Sequence, residues 1–216
     1  MTLAELVADT ERQLTQAGVS FGHGTTNARD EAAWLVLHAL GLPLDIDIDG
    51  SAGKQPAAPD GQARAATLLK ARIDTRQPLA YLLKEAWLQG VPFYVDERAI
   101  VPRSLIAEVL ADGSIDPWLS DQTCRVLDLC TGNGSLAVLA ALAWPEVQVD
   151  AADLSVEALA VARINVEKHG LKDRIKPIES DGLHNCPGPY DLILCNPPYV
   201  NAASMAALPA EFRAEP

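Results

Sequence analysis

Apolar residues in this chain recur first at helical spacing and later in short runs divided by turns, so its two halves predict different architectures. Leu3, Leu6, Val7 and Leu14 share one face of a helix over about 2–16, with Thr2 and Glu5 spaced as a capping box and Gly18 as the stop. The glycine-rich turn Gly22-His23-Gly24-Thr25-Thr26 leads to a second helix over about 27–40, with Trp34, Leu35, Leu37 and His38 on its core side and Gly41 and Pro43 at its end. Residues 51–60 read as a loop, and a basic, apolar third helix follows over about 61–75. Alternation over 80–101 predicts a hairpin, Ala86-Trp87-Leu88 and Val91 to Val95 flanking a Gln89-Gly90 turn, before a short helix over about 104–111.

Beyond residue 117 the pattern becomes strand-then-helix. Strands are expected at 125–130, 148–154, 175–180 and 190–196, with helices at 135–143 and 156–169. Such alternation predicts an α/β fold with a parallel doubly wound, Rossmann-like sheet. The chain therefore divides into a helical domain over 1–78, a hairpin and connecting segment over 79–117, and a sheet domain over 118–216.

Composition narrows the function classes. With 216 residues, 49% of them apolar, the chain can bury a sizeable core. Its longest apolar run, 136–144, is too short to span a bilayer, and no charged-then-apolar leader opens the sequence, which reads as soluble and cytoplasmic with no membrane partner. Cys124, Cys130, Cys186 and Cys195 form no CxxC pair and no ligand spacing with His23, His38, His169 or His184, so reduced, buried thiols are expected and no metal. Nothing near His23 and His38 offers a nucleophile, which leaves them packing or capping roles. Asp45, Asp47 and Asp49 lack the distal glutamate of a calcium loop. A net charge of −12 opposes nucleic acid at long range and favours a basic partner, although plain solubility also accounts for it.

Two stretches carry chemistry. In Asp191-Leu192-Ile193-Leu194-Cys195-Asn196-Pro197-Pro198-Tyr199, four apolar positions suit a central parallel strand that the prolines must end. The Asn196 side-chain oxygen and a carbonyl of the Pro197-Pro198 pair can accept both hydrogens of a planar –NH2 group, with Tyr199 lying on its face. In Arg125 to Ser135, a strand meets the turn Thr131-Gly132-Asn133-Gly134 and a helix start, where backbone can approach a ligand closely. The spacing Gly132-x-Gly134-x-x-Ala137 also fits a dinucleotide fingerprint. Asp128 shifts the balance, because a carboxylate there repels a pyrophosphate and attracts the cationic amino-acid part of S-adenosylmethionine. Asp153 ends the next strand, where it can hold ribose hydroxyls, and Asp181 follows the third, where it can meet an adenine amine. Arg103 either guides a substrate or caps the helix after it.

Together, the Asp-x-x-Thr-Gly-x-Gly turn at 128–134 and Asn196-Pro197-Pro198-Tyr199 resemble the glutamine N5-methyltransferases, which modify a side-chain amide in bacterial translation proteins. Gly22-His23-Gly24-Thr25, Leu42-Pro43-Leu44-Asp45, Pro78-Leu79-Ala80-Tyr81, Phe93-Tyr94-Val95-Asp96 and Val101-Pro102-Arg103-Ser104 are similar to the branch acting on large-subunit ribosomal protein three. The sister branch, acting on peptide-chain release factors, carries Pro-Glu-Thr-Glu where this chain has Ser104-Leu105-Ile106-Ala107.

The resemblance implies a class I methyltransferase fold, glutamine binding by Asn196, Pro197, Pro198 and Tyr199, and S-adenosylmethionine binding by Thr131, Gly132, Asn133, Gly134 and Asp153. It also implies docking of a basic ribosomal protein on the helical domain, with no direct nucleic-acid binding. Asn133 stands where the family usually has serine. Sheets of this class have strands beyond the four found here, so C-terminal strands are expected to be missing and an edge to be left unpaired. The alternatives are methylation of release factors, an amino-methyltransferase acting on nucleic acid, a non-catalytic binding module, and a nicotinamide-dependent dehydrogenase.

Overall fold

A computed structural model describes residues 1–216, the side chain of Ala202 excepted, as two compact units: Met1–Leu83 with Ala203–Ala214, and Lys84–Ala202 with Glu215–Pro216.

The first unit is helical. Helix α1 (Leu3–Ala17) starts with both halves of the Thr2–Glu5 capping box in place and stops at Gly18 in the left-handed conformation. Helix α2 (Ala28–Leu40) is capped by the Asn27 side chain. Helix α3 (Pro59–Thr75) starts before the expected residue 61, because Pro59 sits at its first position, where a missing N–H costs nothing. Leu3, Leu6, Val7, Leu14, Leu35, Val36, Leu37 and Leu69 are buried. His38 is exposed, contrary to expectation, and Val36 takes the core side instead. His23 is buried against the Phe212 ring, with centroids 4.4 Å apart. Residues 79–83, read as the start of a hairpin, form the short helix α4 (Leu79–Leu83).

Polar groups lock this unit as firmly as apolar ones. Arg72 is fully buried, donates to Glu31 Oε1 and the Ser20 carbonyl at 2.8 Å each, and lies 3.6 Å from Glu211 Oε1. Burial pushes the Glu31 carboxyl up despite that guanidinium. Removing one partner from such a cluster strands a buried charge, typically at about 3–5 kcal/mol. Segment 203–214, including α9 (Ala210–Arg213), belongs to this unit through that anchor.

The second unit opens with a hairpin, β1 (Ala86–Leu88) and β2 (Val91–Phe93), paired antiparallel. Gln89 and Gly90 both have positive φ, the requirement of a two-residue hairpin turn whose twist matches its strands. Helix α5 (Leu105–Ala111) follows, capped by the Ser104 hydroxyl. Next come β3 (Arg125–Leu129), α6 (Ser135–Ala143), β4 (Gln148–Asp153), α7 (Val156–Lys168), β5 (Ile175–Glu179) and β6 (Leu192–Cys195), after which α8 (Ala202–Ala207) returns the chain to the helical unit.

The four sheet strands are parallel in the order β5-β4-β3-β6. Two strands and two helices wind one way from β3, and β6 then returns to its other side. The carboxyl ends of β3 and β6 therefore border the switch point where ligands bind in open α/β sheets. Val126, Val138, Val149, Ala151 and Val166 fill the core beneath.

Strand β6 lies at an edge of the described sheet, with Ile193 49% exposed. One expectation fails here. Cys124 and Cys195 are exposed and Cys130 and Cys186 half-buried, because each lies at a strand end or in a loop.

Candidate active site

Strand register assembles the site. Leu129 pairs with Ala152 of β4 and Cys195 of β6, and Asp153 with Glu179 of β5. The turn at 131–134, Asp153, Asp181 and Asn196 thus all follow the carboxyl ends of adjacent strands, as expected for one ligand-binding edge.

The backbone at the glycine turn is tightly constrained. Cys130 has φ 60°, a conformation that few non-glycine residues adopt, followed by Gly132 at 56° and Gly134 at 82°. A Cβ on Gly134 would lie 3.1 Å from the Ala162 Cβ, so this glycine lets α7 approach. A Cβ on Gly132 would meet nothing within 4 Å, so that face is open to a ligand.

Three N–H groups of the turn, those of Thr131, Gly132 and Gly134, and two at the start of α6 are engaged within the protein. Gly132 N donates to Asp153 Oδ2 at 2.8 Å, Gly134 N to the Thr131 carbonyl at 2.9 Å, Ser135 N to Asn133 Oδ1 at 3.1 Å and Ala137 N to Asp128 Oδ2 at 3.0 Å. A pyrophosphate cradle needs these donors free, and here two of them serve carboxylates. The turn therefore suits a ligand without phosphate. An open Gly132 face beside the half-buried Asp153, whose carboxylate can accept from ribose hydroxyls, fits S-adenosylmethionine.

Asp128 is fully buried, and its Oδ2 accepts from the Thr131 hydroxyl and Ala137 N. Burial pushes its carboxyl up to about 7, against those two hydrogen bonds. Its Oδ2 holds the turn and the start of α6, while its Oδ1 is buried with no hydrogen-bond partner among the described residues. Thr131 is buried as its partner. Asn133 does more than fill a serine position, since its side-chain oxygen accepts from Ser135 N and its carbonyl accepts from Asn165 Nδ2 at 2.9 Å. Asp153 keeps lone pairs beyond those serving Gly132 N and Ser155 N at 2.9 Å. Asp181 is exposed beyond β5.

At the end of β6, Asn196 to Tyr199 are exposed, and Tyr199 is 85% so, its ring packed against little else. Asn196 Nδ2 donates to the Arg103 carbonyl at 3.3 Å. Arg103 does not cap α5, because the Ser104 hydroxyl accepts from Ile106 N at 3.2 Å in that role, and its guanidinium pairs with Glu215.

Sequence reasoning missed Asn165. It is fully buried on α7, accepts from Tyr94 N at 2.7 Å and donates to the carbonyls of Tyr94 and Asn133 at 2.9 Å each. Its one signal was an amide on a helix face otherwise made of Ala158, Leu159, Val161, Ala162 and Val166. Glu215 carried no signal.

The chain is similar to known methyltransferases. Residues 114–212 match the family Methyltransferase small domain. The ribosomal protein uL3 glutamine methyltransferase of Bordetella pertussis is 49% identical over 100% of this chain and 72% of its own length. The proteins of the same name from Burkholderia pseudomallei and Neisseria meningitidis are 48% and 44% identical, again over 100% of this chain and over 72% and 71% of theirs.

Proposed function

Because the chain belongs to the family of ribosomal protein uL3 glutamine methyltransferases, we propose that it methylates the side-chain amide nitrogen of a glutamine in ribosomal protein uL3. The observation that carries the chemistry is the exposed Asn196-Pro197-Pro198-Tyr199 segment at the sheet's switch point, beside a glycine turn open to a phosphate-free ligand.

The cofactor of this family, S-adenosylmethionine, supplies a methyl group already activated on a sulfonium. Gly132 and the turn around it, with Asp153 and Asp181, would hold it. An amide nitrogen is a poor nucleophile because its lone pair is delocalised, so the protein's task is alignment. Asn196 Oδ1 and the Pro197 carbonyl are the acceptors that orient the –NH2, and their dipoles stabilise positive charge growing on nitrogen. Tyr199 covers the amide face. Holding reacting groups in line contributes up to about 7–11 kcal/mol, so neither a histidine base nor a cysteine nucleophile is needed.

The helical part, residues 1–78, would dock the protein substrate, residues 79–117 connect, and residues 118–216 carry the transfer. The net charge of −12 suits a basic partner of this kind and opposes direct nucleic-acid binding. Among the described residues no helix is long and apolar enough to cross a membrane. With a ribosomal substrate, the protein works in the cytoplasm.

The test offers labelled S-adenosylmethionine with uL3, a release factor and ribosomal RNA. Label on a uL3 glutamine, slowed about a hundredfold or more but still measurable in Asn196→Ala, is the expected result. Label on the release factor would overturn the choice of substrate, and label on RNA the protein-amide reading itself.

A further inference from the structure

We propose that Arg103 and Glu215 form a positioning device that decides which way round the Asn196 amide faces; this rests on the reading of Asn196 as the glutamine-binding residue. A carboxamide is almost symmetric in shape but not in hydrogen bonding, since one end donates and the other accepts. Turned the wrong way, Asn196 would set its own –NH2 against the –NH2 of the substrate. The 3.3 Å bond from Nδ2 to the Arg103 carbonyl commits the donor end and leaves Oδ1 as the acceptor for the incoming amide.

That selection works only if the carbonyl of residue 103 stays in place. Buried Pro102 fixes the backbone on one side, and on the other Ser104 is held as the cap of α5. Glu215 closes the arrangement. Its side chain, 3% exposed, accepts from Val101 N at 3.0 Å and from Arg103 Nη1 at 3.2 Å, and its second oxygen accepts from Nη2. One carboxylate thus grips residues 101 and 103 together. The planar guanidinium meets it with two parallel bonds, which one ammonium cannot reproduce. Arg103 and Glu215 act through Asn196 and are positioning residues.

The experiment is a double-variant cycle with an NMR readout on the full chain. Arg103→Met is expected to lower kcat about tenfold, the effect of one orienting hydrogen bond, with KM for S-adenosylmethionine within about twofold of the original. In an Asn196→Ala background the same change should cost nothing further, because the group being oriented is gone. Losses that multiply would overturn the proposal. In 15N-labelled protein the Asn196 side-chain proton bonded to the Arg103 carbonyl should move upfield in Arg103→Met; signals that do not move would also overturn the proposal. Arg103→Lys, which keeps charge on Glu215 and protects the fold, should recover part of kcat, and a Lys variant as poor as Met despite a native circular dichroism spectrum would count against positioning by the ion pair. Absence of transfer by the unsubstituted chain would overturn the proposed function alone, and the NMR arm would still decide the positioning.

Discussion

Asp153, at the end of β4, accepts the backbone N–H of Gly132 at 2.8 Å, so one acidic side chain ties the second strand of the winding to the turn after the first. Asp153→Ala removes that tie and the proposed ribose partner together. The expected result is at least about a tenfold rise in Kd for S-adenosylmethionine by calorimetry, with about 1.5–3 kcal/mol lost from unfolding stability, the range for hydrogen bonds to charged groups. Asp153→Asn keeps an acceptor for Gly132 N and should fall between. An unchanged affinity in Asp153→Ala would remove Asp153 from the cofactor site.

The two turn glycines should fail differently. Gly134→Ala drives a methyl group to 3.1 Å from Ala162 Cβ and 3.2 Å from its Cα at a positive φ, and should cost about 2–4 kcal/mol in urea unfolding. Gly132→Ala meets no neighbour and should cost about 1–2 kcal/mol of backbone strain. Its methyl group fills the open face, so cofactor affinity should fall more than stability. Equal losses of stability in the two variants would contradict this assignment.

Buried Asp128 gives stability a pH dependence of definite sign. Its folded carboxyl is pushed up to about 7 by burial, whereas an unfolded aspartate titrates near 3.9. Between about pH 4 and pH 7 the folded chain holds a proton there that the unfolded chain has lost, so this group weakens the fold as pH rises through that window. Asp128→Asn abolishes the effect. The variant's stability relative to the original should improve by roughly 2–4 kcal/mol from pH 4.5 to pH 8 and level off above pH 7. A difference that does not change with pH would refute it.

Asn165→Ala deletes three hydrogen bonds inside the core and strands their partners, which should cost about 2–4 kcal/mol. Hydrogen exchange at Tyr94 N–H should accelerate in step. Exchange that stays slow would mean that Tyr94 is held by other contacts.

What the sequence made legible is what depends on near neighbours. The Thr2–Glu5 capping box, the Gln89-Gly90 turn and the four strand runs each rest on a few adjacent residues, and each stands in the structure. The site's edge was legible for the same reason, because strand ends in a parallel sheet converge whatever lies between them. Distant partners were not. The hold of Asp128 on the glycine turn was not legible, because it depends on Ala137 N and the helix behind it. Arg103 stayed ambiguous because Glu215 lies 112 residues away. Residues 79–83 alternate acceptably for a strand, and only packing in the helical unit makes them α4.

The hairpin has one further property. Strands of three residues each do not pair stably alone in water. Asn165 and His169 hold this pair, through Tyr94 and the Pro92 carbonyl, from 71 and 77 residues further along. A growing chain emerges amino end first, so Trp87 and Phe93 leave the exit tunnel long before the helix that secures them exists. Until then they are loose apolar side chains on a nascent polypeptide, open to chaperones and proteases. The hairpin is secured only once α7 has been made.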